Sequence, residues 1–163
     1  MTVHIRRATP DDALTVATLE AVIQESHQKE RPDWFKPADP ESTVELQREM
    51  LSDPSVTVFL AEEGDNALGF LIAVTNHRSE TPLSFAMTIL EVDQIAVDPA
   101  ARRRGVGHAL FAAMRELADE VSAKRIVLTT WVFNDGAHRF FESEGFAIEL
   151  HRMAMVWPST ESA

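Results

Sequence analysis

Cysteine and tyrosine are both missing from this 163-residue sequence. Without cysteine there are no disulfides, no thiolate metal ligands and no covalent cysteine intermediate. Without tyrosine there is no phenol to act as a general acid. No apolar run approaches the ~20 residues needed to span a bilayer. The start, MTVHIRRATPDD, lacks the apolar core of a signal peptide, and the expected location is the cytoplasm. Positive charge is scarce: 15 Lys and Arg stand against 26 Asp and Glu, a net charge of -11. That balance argues against nucleic acid and against anionic membranes as partners. It suits a cationic or amine-bearing partner, and equally serves plain solubility. The histidines His4, His77 and His151 stand alone, and no metal site is read from them.

What is present reads as one domain over residues 1–163, with an order β-α-α-β-β-β-α-β-α-β. VHIRRA (3–8) alternates as a strand. Thr9-Pro10-Asp11-Asp12 is a helix start, with Thr9 as cap, Pro10 in the first turn and Asp12 as the capping acid. Apolar residues at helical spacing carry that helix to about Ser26, and a second helix is expected over 41–52. Strands are expected over 55–63, 67–77, 85–97, 123–133 and 146–157. A helix from about Gly105 shows an apolar stripe at Val106, Leu110, Met114, Leu117 and Val121. A short one covers 134–145, with Gly145 as its terminator. The tail 158–163 is expected to fray. The fold class is α/β: a mixed central sheet with helices on both faces.

DPAARRRGVGHAL, Asp98 to Leu110, is where positive charge concentrates. It joins a strand to a helix. A helix N-terminus offers unpaired N–H groups and partial positive charge, and glycine permits close backbone approach. Arg102, Arg103 and Arg104 add charge at the rim, so the stretch suits a phosphate. A Walker loop is excluded, because Gly107 is followed by His108-Ala109. A dinucleotide fingerprint is excluded by its missing third glycine.

Arg102-Arg103-Arg104-Gly105-Val106-Gly107 resembles the Arg/Gln-x-x-Gly-x-Gly/Ala signature of the GNAT superfamily of acyl-CoA N-acyltransferases. DQIAVDP precedes it, as in that family. TTWVFNDGAHRFFESEGF resembles the family's second half, through Asn134, Ala137, Phe140, Phe141, Gly145 and Phe146. IRRATPDD is similar to its first strand and helix. The resemblance covers nearly the whole chain and is strongest over 91–146. It implies a mostly antiparallel sheet splayed at an acyl-CoA site, with acetyl-CoA or a related acyl-CoA as cofactor. It implies that backbone N–H groups from Arg103 to His108, across Gly105, Val106 and Gly107, hold the pyrophosphate. An arginine would reach the 3′-phosphate. Ile95, Ala96 and Val97 would pair with the pantetheine arm, opposite Ile126 to Trp131. Asn134 would contact that arm or brace the splay, and it also suits a plain helix cap.

Acetyl transfer to an amine requires a deprotonated nucleophile, a polarised thioester carbonyl and a protonated leaving thiolate. Glu91 and Asp93 lie two apart, so an unbroken strand turns both to one face. The family's base is often an acid on this strand, and either residue qualifies, directly or through a water. The oxyanion donor would be an N–H near Val97. Many relatives carry tyrosine, a proton donor, where this chain has Phe141. That departure leaves packing against the pantetheine as the residue's role, and water or His138 as the proton source.

The acceptor is expected among the 27–42 loop, the 78–84 loop and the last strand. Trp34 and Phe35 would supply an apolar wall, and His27, Glu30 and Asp33 polar groups for an ammonium ion. The expected activity is N-acetyltransfer to a primary amine of a small molecule or protein, with a homodimer as a further expectation. Two other readings stay open: a non-catalytic acyl-CoA-binding module, and an interaction domain whose Arg/Gly turn merely caps a helix.

Overall fold

The computed structural model describes residues 2–155. Its strands are β1 (His4–Arg7), β2 (Val56–Glu63), β3 (Asn66–Arg78), β4 (Met87–Val97) and β5 (Arg125–Leu128). Its helices are α1 (Ala13–Glu30), α2 (Pro40–Leu51), α3 (Val106–Glu120) and α4 (Asp135–Ser143). The strands form one sheet in the order β1-β2-β3-β4-β5. Three pairings are antiparallel and β4–β5 is parallel, the expected mixed sheet.

Side-chain alternation decides which face each helix covers. In β2, Val58 and Leu60 join Val16 and Leu19 of α1 in one core. Phe59 and Ala61 point the other way, to Val106, Leu110, Phe111, Met114 and Leu117 of α3 and Phe141 of α4. Each large apolar side chain so buried contributes ~1.5–3 kcal/mol, so the two cores outweigh any single cap or ion pair. The start of α1 is nonetheless well tied. The Asp12 carboxylate accepts from the Thr9 N–H at 2.8 Å and takes a two-pronged ion pair from Arg6. Arg6 also pairs with Glu62, linking β1, β2 and the helix start. This network holds Asp12 down at a pKa of about 2.

Two features depart from the sequence reading. First, β4 carries a bulge. Ile72 of β3 pairs with Gln94, but Ala73 pairs with Val92, leaving Asp93 as an extra residue. β5 pairs with β4 only along Ile89–Val92, before that bulge. Beyond it β4 runs on to Val97 while β5 stops at Leu128, so residues 129–133 are not strand as expected: they have no ladder partner. The two strands part there, leaving the Ile95–Val97 edge free on that side.

Second, residues 146–155 form no strand. The Phe146 N–H bonds back to the Phe141 carbonyl, which closes the turn after α4, with Gly145 at φ +93°. Past that turn no backbone ladder bond engages the segment among the described residues, and Arg125–Glu149 is its ion pair to β5. Alternation without a neighbouring edge leaves Ile148 and Leu150 71% and 75% exposed. The remainder of the expected strand, 156–157, and the tail 158–163 lie outside the described residues.

Candidate active site

The Arg/Gly turn falls between β4 and α3. Asp98 opens it by accepting from the Ala100 N–H at 2.7 Å. Arg103 and Gly105 both adopt left-handed backbone, at φ 61° and 82°. Glycine does so freely. An arginine there costs ~1–2 kcal/mol, which the surrounding turn must hold in place. Gly105 is the N-cap of α3, and the next N–H groups, of Val106, Gly107 and His108, lack intrahelical acceptors. Gly107 serves packing. A Cβ there would lie 3.0 Å from Phe140 Cζ, so its absence lets α4 lie flush against the first turn of α3.

The arginines divide. Arg102 and Arg103 line a cleft of about 730 Å³ above the turn. Arg102 also donates to the Val97 carbonyl at 3.3 Å. Arg104 does not line this cleft and pairs with Glu63 of β2 at 2.7 Å. The His108 side chain pairs with Glu144, which Arg115 also holds. The rest of the cleft wall includes Ile95, Ala96 and Val97 from the free β4 edge, with Asn134 and Phe141. Asn134 caps α4, accepting from the Ala137 N–H at 3.1 Å, so its capping and lining roles coexist. Unpaired helix donors and two arginines at one end, with a free strand edge along the side, fit a diphosphate joined to an extended amide arm.

A second cleft of about 350 Å³ adjoins the first at the splay, between α1, β4 and the segment after β5. Its acids are Glu20 and Asp93. The bulge separates the two acids that an unbroken strand would align. Asp93 reaches this cleft, whereas Glu91 lines neither cleft and accepts a 3.3 Å bond from Asn76. Sequence reasoning missed Glu20. It is held by Gln94 at 3.0 Å and by buried Gln47 at 2.6 Å. Both glutamines keep an unpartnered buried Oε1. No motif marks Glu20, because its neighbours arrive from α2 and β4.

Trp34 and Phe35 also divide. Phe35 lines the second cleft, while Trp34 lines neither and is 64% exposed. Both meet Trp131 edge-on, at 5.7 Å from Phe35 and 6.1 Å from Trp34, and Trp131 stacks on Phe133. The Arg31 guanidinium lies over Trp34 and Trp131. This cluster, rather than a ladder, holds 129–133 against the α1–α2 loop. Glu30 and Asp33 line neither cleft, and Asp33 is taken by Arg31. His27, expected in a loop, sits in the last turns of α1. Its burial pushes the imidazole below the ordinary value, keeping it neutral. The His138 side chain bonds the Trp131 carbonyl at 3.0 Å and lines neither cleft. Among the described residues no cluster of His, Asp or Glu could hold a metal ion, and no helix is long and apolar enough to cross a membrane.

The comparisons agree with this geometry. No curated protein sequence matches the chain. Among solved structures, a tetramutant of the BH1408 protein from Bacillus halodurans superposes with a TM-score of 0.89. It is 24% identical and covers 94% of this chain and 99% of that one. The aminoglycoside N-acetyltransferase AAC(6')-Iy, in complex with CoA, gives a TM-score of 0.74 at 18% identity, covering 97% and 95%. An aminoglycoside acetyltransferase from an uncultured soil metagenomic sample, in complex with sisomicin, gives 0.68 at 20%, covering 96% and 95%. These likenesses establish the fold. The sequence model described as the acetyltransferase (GNAT) family matches residues 21–146, most of the chain, with the splayed strands, the Arg/Gly turn and every lining residue of the two clefts except Glu20 inside it. The chain therefore belongs to the GNAT acetyltransferase family.

Proposed function

We propose that this chain is a single N-acetyltransferase domain that moves an acetyl group from acetyl-CoA directly to the primary amine of a cationic small molecule. Bound acetyl-CoA supplies an acetyl group activated as a thioester. The N–H groups from Arg103 to His108 and the side chains of Arg102 and Arg103 hold its phosphates. Arg104, committed to Glu63, contributes little. The free edge of Ile95, Ala96 and Val97 bonds the extended arm, and the Val97 N–H serves the carbonyl oxygen. Asn134 and Phe141 border the arm at the splay. On the other side, Glu20 and Asp93 attract the ammonium ion. Asp93 takes its first proton and so frees the nitrogen lone pair. Phe35 and Trp131 exclude water from one wall, and Trp34 backs Trp131.

The observation carrying this reading is that two clefts with opposite chemistry meet. One is lined by arginines and helix donors, the other by carboxylates and aromatic rings. Two solved structures of like fold are aminoglycoside acetyltransferases, which makes polyamines and aminoglycosides the first acceptors to try. Phe141 favours a second reading, a non-catalytic acyl-CoA-binding module, because a phenyl ring donates no proton. Release of free CoA thiol across a panel of primary amines separates the two. The enzyme reading expects amine-dependent, saturable release. CoA binding with no release above spontaneous hydrolysis would favour the module.

A further inference from the structure

The two clefts share six lining residues: Ile23, His27, Ile95, Asn134, Ala137 and Phe141. They mark the place where a group arriving along one cleft can meet a group arriving along the other. Five of the six cannot exchange a proton near neutral pH. The sixth is His27.

Its surroundings leave it free to act. Among the described residues, no hydrogen bond engages either ring nitrogen of His27. His77, His108 and His138 are each bonded, to Thr88, Glu144 and the Trp131 carbonyl. The ring is nonetheless fixed. Phe35 packs at 4.9 Å, tilted by 32°, and Phe133 meets it edge-on at 6.3 Å. Charged groups approach from several elements. Glu20 and Asp93 flank the junction in the acceptor cleft. Arg102, Arg103, His108 and Arg139 lie in the other cleft. Arg31 follows one helical turn on, drawn away by Asp33 and the Trp34 and Trp131 rings. Burial among aromatic rings is what lowers its proton affinity, so the ring enters the reaction neutral.

We infer that His27 is the proton carrier of the transfer, taking a proton from the attacking nitrogen on one side of the junction and delivering it to the departing sulfur on the other. This rests on the acetyl-transfer reading above. The step balances without a further reagent. A C–N bond forms as the thioester C–S bond breaks, and sulfur takes the bonding pair. The proton that nitrogen sheds after bond formation ends on sulfur, and His27 returns to neutral. Asp93 handles the earlier proton, that of the incoming ammonium ion. A single carrier at the junction removes the need for the phenol that this sequence lacks at Phe141 and everywhere else.

The test compares wild type with His27→Gln. Calorimetry with CoA should give the same affinity within about twofold, whereas kcat should fall roughly 100-fold, the range of one acid–base group. Because the neutral ring is the active form, wild-type log kcat should drop as pH falls through the His27 midpoint. The variant should lack that limb. Ring resonances of His27 in the wild-type protein give an independent readout. They should titrate below the ordinary histidine value of about 6.5 and move when CoA is added. Wild-type kcat with an unchanged pH profile in His27→Gln would overturn this inference and leave acetyl transfer standing. Failure of wild type to bind CoA would overturn both. If the variant does not fold, the wild-type resonances decide: a midpoint at or above the ordinary value, or no response to CoA, overturns the inference.

Discussion

The two clefts that meet at the splay are built differently. On the α3 side the groups that would meet phosphate are mostly backbone, within the six residues from Arg103 to His108. On the α1 side the polar groups are side chains from three elements: Glu20 on α1, Asp93 at the β4 bulge, and Gln47 on α2 behind Glu20. A backbone site is written in one short stretch, because glycine spacing and a helix start specify it. A side-chain site assembled from distant elements leaves no contiguous trace. The comparison predicts that mutations will act separately, on cofactor affinity on one side and on acceptor turnover on the other.

The largest effect is expected on the acceptor side. Asp93→Asn should lower kcat/KM about 100-fold near neutral pH, or ~2.7 kcal/mol, and progressively less at high pH, where the amine sheds its own proton. Glu91→Gln, outside both clefts, should change it less than about threefold. Steady-state rates across pH check this, and equal losses in the two variants would erase the distinction the bulge creates. Next is Gly69→Ala. A Cβ at Gly69 would sit 2.5 Å from the Ala96 carbonyl oxygen, a backbone atom that cannot step aside. Denaturant unfolding should show a loss of ~2 kcal/mol, with CoA affinity weakened because Ala96 and Val97 must shift.

Smaller effects sharpen the cofactor side. Arg103→Ala should weaken CoA binding roughly tenfold, ~1.4 kcal/mol, and Arg104→Ala by less than about twofold, since Arg104 is spent on Glu63. Calorimetry at fixed salt separates them, and equal losses would mean that Arg104 leaves Glu63 on binding. The smallest effect belongs to neither side. Asp12 has its pKa depressed by Arg6, so its stabilisation is present above its ordinary value of 3.8 and is lost as pH falls toward about 2. Partial exposure of Arg6 limits this to ~1 kcal/mol, and Asp12→Asn should flatten that part of the stability–pH curve.

The same contrast explains what could be read from the sequence. Most elements and the start of α3 were legible because periodicity, Pro10 and Gly105 act locally. The Asp93 bulge was not: its neighbours Val92 and Gln94 carry no glycine or proline to mark it, and the extra residue appears only in the register against β3. Residues 146–155 misled for a related reason. Phe146, Ile148 and Leu150 alternate like a strand, but pairing needs an edge as well as a pattern. Likewise the sequence placed His27 in a loop near the acceptor, and only the lengthening of α1 to Glu30 brings it to the junction.

Cofactor and acceptor are proposed to take the two adjoining clefts separately. Residue-resolved amide hydrogen exchange with and without CoA tests that separation most directly. CoA should slow exchange at Ile95–Val97 and Val106–His108 and leave Thr129–Trp131 unchanged. No protection anywhere, or protection confined to Thr129–Trp131, would contradict it.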